Sequence, residues 1–346
     1  MLNQLLKKYN HYRKEKHFTS PLFQAQKAYA FVGFGIHSMT NFYPLLRHFN
    51  ICLKYICTKS SNPEKQLSPL FPGCTFTNDL DVILKDDTVA GVFVCATPEA
   101  HYDILSRLLK VGKPVFIEKP PCQTLAQLHQ LHKINPSAIC KIGLQRRYWP
   151  GNRSIAKQCR SAASYIYQFQ TGPLAYGDPV TELFLHPLDY ARFLFGDPKT
   201  ESVSKHQDDK GITFQLHLTH PGGCSGLLHL STHYSWNPPL ECLTVNTPGE
   251  SLILQYPTSV IGKQLPFRIM NIPTERLMNQ TLTTKEYYSG IPTLTPASEF
   301  NTLLVQGFLP EIEDFVSFVE NPGTAKGEAN DLGSLLSIYE LFQSLG

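Results

Sequence analysis

Residues 90–124, AGVFVCATPEAHYDILSRLLKVGKPVFIEKPPCQT, contain the pattern that decides the fold. The apolar run at 89–97 predicts a buried strand, and the helical spacing of apolar residues at 99–112 predicts a helix. A second apolar run, 114–119, predicts another strand, and Lys119 is its last residue. Continuous apolar strands joined by a helix indicate a parallel sheet that is covered on both faces.

The same alternation extends through the first half of the chain. Further strands are predicted at 29–35, 51–58 and 138–147, and further helices at 38–49, 77–86 and 124–134. Asp79 is a plausible cap of the short helix at 77–86. Because crossovers between parallel strands are right-handed, residues 28–148 are predicted to form an α/β Rossmann domain with a doubly wound parallel sheet.

The pattern changes after about residue 150. Alternating strands separated by Gly, Pro and Asn follow at 164–172, 212–220, 224–235 and 241–257, and two helices close the chain at 309–321 and 329–346. This order predicts a second, α+β domain over 149–346 with an open, mostly antiparallel sheet. The last helices are expected to pack back on the Rossmann domain.

Composition excludes several classes of protein. The 346 residues suit two domains, and 42% hydrophobic with 17% charged residues is typical of a soluble globular protein. The net charge of +3 is too small to imply nucleic acid. The basic extension 1–27 lacks the apolar segment of a secretory signal, and the uncharged window 28–46 contains glycines and a proline, so no membrane partner is expected. Nine cysteines without a CxxC pair favour reduced thiols and a cytoplasmic location.

The first candidate site follows the first strand. Gly33 and Gly35, with Ile36 and His37 after them, predict a turn where the backbone approaches the pyrophosphate of a dinucleotide. Ser38 stands where the third glycine of G-x-G-x-x-G would be. A tight turn that binds no ligand uses the same residues, but its position at the head of βαβ units favours binding.

The second candidate site is the end of the second strand, where NAD-binding folds place a carboxylate against the ribose. This chain has Thr58, Lys59 and Ser60 there, and no carboxylate before Glu64. A cation flanked by hydroxyls suits a 2′-phosphate, so the sequence predicts NADP, with NAD as the alternative. The alternative is a solvent-exposed loop that contains one lysine and has no role in binding.

Further cofactor contacts are predicted at the ends of the next two strands, at Ala96, Thr97, Pro98, His101, Glu118 and Lys119. Lys119 is also a candidate acid or base, because burial or a nearby cation lowers the pKa of an ammonium group. The alternative is an edge strand that ends in a charge and a turn.

The fourth candidate site lies at 181–198. Glu182, His186 and Asp189 are spaced to share one face of a helix, and acidic neighbours orient an imidazole and raise its basicity. We therefore predict all three as catalytic, although a lone histidine on a helix is more often structural. A metal site here lacks a second histidine, and the sequence predicts no metal.

These motifs resemble the Gfo/Idh/MocA family, the oxidoreductases related to glucose–fructose oxidoreductase and inositol 2-dehydrogenase. The resemblance runs from about residue 28 to the C-terminus. It rests on V-G-x-G in the first strand, Ala96-Thr97-Pro98 with His101, G-K-x-V-x-x-E-K-P at 112–120, and H-x-x-D at 186–189.

The resemblance implies hydride transfer between nicotinamide and a secondary alcohol or ketone of a sugar, nucleotide sugar or cyclitol. Lys119 corresponds to the motif lysine and His186 to the active-site histidine, while Glu182 stands where the family often has Asp. Substrate contacts are expected at Lys119, Arg146, Arg147, Tyr148, Glu182 and His186. The resemblance also implies a cis Lys119–Pro120 bond and a homo-oligomer, a dimer or tetramer, formed through the open sheet. The alternative is a catalytically silent cofactor-binding sensor or assembly subunit.

Overall fold

A computed structural model describes most of the chain. The described residues are 4–6, 8–9, 25–59, 64–174, 177–235, 239–274, 276, 284–290 and 300–345.

The N-terminal sheet has six strands, and every neighbouring pair is parallel. Its order is β3-β2-β1-β4-β5-β6, the order of a doubly wound dinucleotide-binding fold. The strands are β1 (Ala28–Val32), β2 (Cys52–Cys57), β3 (Thr75–Thr77), β4 (Val89–Val94), β5 (Val115–Ile117) and β6 (Cys140–Ile142). The prediction of a parallel Rossmann sheet is confirmed. Only the short edge strand β3 was not predicted, because three residues carry no readable alternation.

Helices connect these strands. They are α1 (Tyr43–His48), α2 (Glu64–Leu67), α3 (Leu80–Leu84), α4 (Pro98–Lys110) and α5 (Leu125–Ile134). A π-helical turn, Ser38–Phe42, leads into α1. Asp79 caps α3 as predicted, since its carboxylate accepts the N–H of Asp81 at 2.9 Å.

The second sheet has eight strands in the order β16-β13-β12-β11-β7-β10-β9-β8. The strands are β7 (Ser164–Gln170), β8 (Lys199–Gln207), β9 (Ile212–Thr219), β10 (Ser225–Ser231), β11 (Leu240–Asn246), β12 (Glu250–Gln255), β13 (Ser259–Gln264) and β16 (Thr284–Ser289), with a small hairpin of β14 (Arg268–Ile269) and β15 (Ile272–Pro273). All neighbours are antiparallel except β7 and β10, so a mostly antiparallel sheet is confirmed.

The remaining helices follow the Rossmann sheet. They are α6 (Asn152–Cys159), α7 (Leu185–Phe195), α8 (Phe300–Val305), α9 (Phe308–Glu320) and α10 (Leu336–Gln343), with 3-10 turns at Gln145–Tyr148 and Gly333–Leu335 and a π-helical turn at Val180–Phe184. α9 packs on the N-terminal sheet, where the ring of Phe315 lies 5.1 Å from that of Phe93 and 5.9 Å from that of Phe116. Among the described residues, no helix is both long and apolar enough to cross a bilayer.

Candidate active site

Gly33 ends β1 in a conformation that only glycine adopts easily. Its φ is +116°, and its N–H donates to the Cys57 carbonyl at 2.9 Å. A Cβ at this position would lie 2.0 Å from the carbonyl oxygen of Cys95. The fold itself therefore requires glycine here, because the end of β4 touches the backbone.

Gly35 is different, because no atom of the protein lies within 4 Å of the position that its Cβ would take. The turn is held by Ser38, whose hydroxyl accepts the N–H of Gly35 at 2.9 Å and donates to its carbonyl at 2.8 Å. A hydroxyl thus fixes the loop where the third glycine was expected. The bare backbone at Gly35 faces open space, as the approach of a pyrophosphate requires.

The glycine loop borders a cleft of about 440 Å³ at the carboxyl ends of the parallel strands. Its lining includes the predicted cofactor residues Gly33, Gly35, Ile36, His37, Thr58, Lys59, Ala96 and Thr97. Ile36 is 86% exposed there, an apolar side chain in the position to be covered by a ligand. These residues fit a dinucleotide. Ser60 lies outside the described residues.

Glu118 and His101, which were predicted as cofactor contacts, are not among the residues that line this cleft. Glu118 is buried; its Oε2 accepts the N–H of Lys119 at 3.1 Å and its Oε1 lies 3.3 Å from Nε2 of His37. The His101 ring is buried, with Nδ1 at 2.7 Å from the carbonyl oxygen of Pro120. Both side chains hold the loop that carries Lys119. Pro98 opens α4 and is not among the lining residues of the cleft.

Lys119 reaches from the first domain to the second. Its Nζ donates to the backbone carbonyl of Glu182 at 2.7 Å, and its peptide bond to Pro120 is cis, as the resemblance implied. Burial lowers the pKa of Lys119, while the carboxylates of Glu118 and Glu182 oppose that effect. The ammonium group is thus placed where the two domains meet.

His186 lies in the first turn of α7, in surroundings that favour its neutral form. Burial lowers its pKa well below the usual value, and the charges of Arg146, Lys119 and His37 lower it further. Its Nδ1 is buried and has no hydrogen-bond partner among the described residues. All three residues belong to the first domain, so these pKa effects indicate that its charged groups lie near an imidazole of the second domain.

The expected carboxylates on either side of His186 are absent, and that prediction is wrong. Glu182 turns its side chain toward the N–H of Asp178, at 3.2 Å, and buried Asp189 forms an ion pair with Arg147. The π-helical turn over Val180–Phe184 interrupts the α-helical spacing that the prediction assumed. Asp189 therefore has a structural role, and Glu182 contributes its backbone carbonyl.

The neighbouring arginines point in different directions. Buried Arg146 donates through Nε and Nη2 to Glu241, both at 2.7 Å, and its Nη1 has no partner among the described residues. Arg147 pairs with Asp189 and Asp331. The 3-10 turn separates consecutive side chains by about 120°, so only Arg146 lies at the site.

Tyr148 also lies away from the site. Its hydroxyl donates to Asp314 at 2.9 Å, and with Arg147 it lines a separate cavity of about 400 Å³. The predicted substrate contacts of Arg147 and Tyr148 do not fit these positions.

Comparison with known proteins agrees with this geometry. Residues 27–144 match the profile of GFO_IDH_MocA, described as an oxidoreductase family with an NAD-binding Rossmann fold. The N-terminal domain of this chain is therefore similar to that of the Gfo/Idh/MocA oxidoreductases.

Two curated relatives match in the same region. The chain is 37% identical over 111 residues to the uncharacterized oxidoreductase YhhX of Escherichia coli, and 23% identical over 137 residues to inositol 2-dehydrogenase of Paracoccus denitrificans. These matches cover 31% and 36% of this chain, and only 32% and 41% of the relatives. The fold extends further: a dehydrogenase structure from Chromobacterium violaceum superposes with a TM-score of 0.76 at 15% identity, covering 92% of this chain and 94% of that one.

Within the N-terminal domain, sequence reasoning missed two charged residues that line the cleft, Asp79 after β3 and Arg107 on α4. Burial raises the pKa of the Cys57 thiol at the end of β2; Asp79 raises it further, whereas Lys59 and Arg107 lower it. The three charges therefore surround the end of β2. Arg107 forms an ion pair with Asp81. Helical spacing offered no signal for Arg107, since a cation on an exposed helix face is common.

Proposed function

We propose that this chain is a nicotinamide-dependent dehydrogenase or reductase that acts on a CH–OH group of a sugar, nucleotide sugar or cyclitol. The observation that carries the proposal is the contact between Lys119 Nζ and the Glu182 carbonyl, close enough to His186 for the ammonium charge to lower the pKa of that imidazole. In this proposal, an ammonium and an imidazole from two domains act together beside one cofactor site.

The two side chains have complementary roles. When bound, the nicotinamide accepts a hydride from the substrate carbon or returns one to it. His186, held neutral by burial and by neighbouring cations, accepts the proton of the substrate hydroxyl in the oxidative direction. Lys119 donates a hydrogen bond to the same oxygen and stabilises the negative charge that develops there. The backbone carbonyl of Glu182 accepts a hydrogen bond from the Lys119 ammonium group and so fixes its orientation.

The preferred cofactor in this proposal is NADP(H). Lys59 and Arg107 both line the end of the cleft near β2; Arg107 pairs with Asp81, and the charge of Lys59 suits a 2′-phosphate. Asp79 also lines it, but its carboxylate is engaged as the cap of α3. NAD(H) is the alternative, because a carboxylate near β2 is also the group that binds the ribose hydroxyls of NAD.

We also propose a homo-oligomer formed through the open sheet. On its outer face, Leu227, Ile166, Thr244, Ile253 and Ile261 are neighbours across five strands. Ile166 is 47% exposed, Leu227 49% and Ile261 39%. A row of four aliphatic side chains with one threonine among them is typical of a face that another protein surface covers.

The test of the function is a substrate panel. Purified protein is incubated with NADP⁺ or NAD⁺ and with polyols, sugars, cyclitols and nucleotide sugars, and reduced cofactor is followed by absorbance. We expect turnover with at least one member of the panel. Tight cofactor binding without turnover on any of them would instead favour the catalytically silent sensor or assembly subunit.

A further inference from the structure

Two histidines and one carboxylate meet at one end of the eight-stranded sheet. His206 lies near the end of β8, Asp208 follows it in the turn to β9, and His233 comes just after β10. One ligand atom of each lies within 4.8 Å of the others. The cluster shares no residue with the cofactor cleft or with the pair Lys119 and His186.

The strand register brings these side chains together although 25 residues separate Asp208 from His233. β9 pairs with both β8 and β10, so that Thr213 lies opposite His206 on one side and opposite Ser231 on the other. This juxtaposition explains why the spacing in the sequence predicted no metal site.

The distances suit a small cation. His233 Nε2 lies 2.9 Å from Oδ1 of Asp208, and His206 Nε2 lies 3.9 Å from Oδ2. In tetrahedral zinc with bonds of about 2.1 Å, two ligand atoms lie about 3.4 Å apart, so the first distance must lengthen and the second must shorten slightly when an ion binds. The His206 side chain is 73% exposed, so it can rotate to complete the set without disturbing the core.

The surrounding hydrogen bonds orient two of the three ligands. His233 Nδ1 is bonded to the Thr213 hydroxyl at 2.8 Å, and that hydroxyl is bonded to Ser231 at 2.7 Å. A metal-bound histidine commonly has such a partner on its second nitrogen. Asp208 accepts the N–H groups of Lys210 and Gly211, which holds its carboxylate in place.

The carboxylate is also in the charged form that a metal requires. An aspartate carboxylate has an ordinary pKa of about 3.9. Near neutral pH this group is an anion beside two imidazoles.

We propose that His206, Asp208 and His233 bind one divalent transition-metal ion, with Zn²⁺ as the reference ion and water in the remaining position. Two imidazoles favour zinc, nickel or copper over magnesium and calcium, which prefer oxygen ligands. The ion cross-links the edge strand β8 to the segment after β10. Asp208 also lines a cavity of about 670 Å³, so the ion lies at the border of that cavity.

Metal titration of the tag-free, chelator-treated full chain tests this site. Calorimetry should show one Zn²⁺ per chain, and Mg²⁺ should give no heat of binding at the same concentrations. The melting temperature should rise by about 3 to 4 °C at a hundredfold excess of Zn²⁺ over its Kd. Co²⁺ should bind with a visible absorption spectrum that Zn²⁺ abolishes.

Variants assign the ligands. His206→Asn and His233→Asn should each lower the affinity for Zn²⁺ at least tenfold, and Asp208→Asn, which keeps an oxygen acceptor for the turn, should do the same. His217→Asn is the matched control, since His217 is an exposed histidine on β9 bonded to Ser225, and it should bind Zn²⁺ as the unaltered chain does. Absence of binding to the unaltered chain overturns the proposal, as does unchanged affinity in His206→Asn, whose exposed position leaves folding intact.

Discussion

His186 has cations around it where carboxylates were predicted, and this determines its expected pH behaviour. Burial, Arg146, Lys119 and His37 all lower its pKa, so the neutral imidazole is already present at pH 7. A base in this state needs no acidic partner to accept a proton. Its positive neighbours instead favour the return of that proton in the reductive direction.

Alcohol oxidation should therefore stay active well into mildly acidic pH. The base must be unprotonated, and a pKa below the ordinary value of about 6.5 moves the loss of activity below that pH. The profile of kcat/KM for oxidation should be level near pH 7 and fall only below about pH 6.5. An acidic limb centred above pH 7 would contradict the role of His186 as the base, and His186→Asn should remove the limb.

The charges at the end of β2 predict which of the two cofactors the chain binds more tightly. An exposed ion pair with Lys59 contributes about 0.2 to 1 kcal/mol, and each hydroxyl bond to a charged phosphate adds about 1.5 kcal/mol. We expect NADPH to bind roughly tenfold to a hundredfold more tightly than NADH. Thr58→Asp combined with Lys59→Ala should reverse the preference.

Fluorescence titration of both reduced cofactors at equal ionic strength measures this preference. Arg107→Gln should weaken the binding of NADPH more than that of NADH. Tighter binding of NADH to the unaltered chain would show that these side chains do not receive a 2′-phosphate.

The two glycines of the loop after β1 are expected to have different roles: Gly33 is needed for folding, and Gly35 is needed for cofactor binding. Gly33 is confined by the end of β4, whereas Gly35 faces open space. Gly33→Ala should lower the free energy of unfolding by about 2 kcal/mol or more, because it adds a strained positive φ and a steric overlap. Gly35→Ala should change it by less than about 0.5 kcal/mol and yet weaken NADPH binding at least about tenfold, a loss of about 1.4 kcal/mol.

Thermal denaturation and cofactor titration of the two variants separate these effects. Undiminished NADPH affinity in a folded Gly35→Ala variant would mean that the cofactor backbone does not approach this loop.

Periodicity predicted most elements, and its failures have physical causes. β1, β4 and β5 are continuous apolar runs and were predicted. β3 has only three residues, and β8 is an exposed polar edge strand, Lys199–Gln207, so neither shows a hydrophobic pattern. The sequence placed Lys119 and His186 at one site, but it did not predict the π-helical turn that redirects Glu182.

At the scale of the whole molecule, the open sheet face predicts self-association. Light scattering should show a dimer or tetramer for the unaltered chain, and Ile166→Asp with Leu227→Asp should give a monomer, because charges replace the apolar row. Val82→Asp is the control: Val82 is 38% exposed on α3, in the other domain, and this variant should keep the oligomer. A monomeric unaltered chain at all concentrations would contradict the assembly.

The two domains also meet where Lys119 donates to the Glu182 carbonyl, and the proposed function requires that Lys119 and His186 act on a substrate beside the cofactor cleft. The most direct test is the turnover of Lys119→Ala and His186→Ala on a substrate identified from the panel, with NADPH affinity measured in parallel. We expect turnover to fall by about two orders of magnitude or more, while cofactor affinity stays nearly unchanged, because neither side chain lines the cleft. Near wild-type turnover in both variants would show that neither side chain takes part in the reaction.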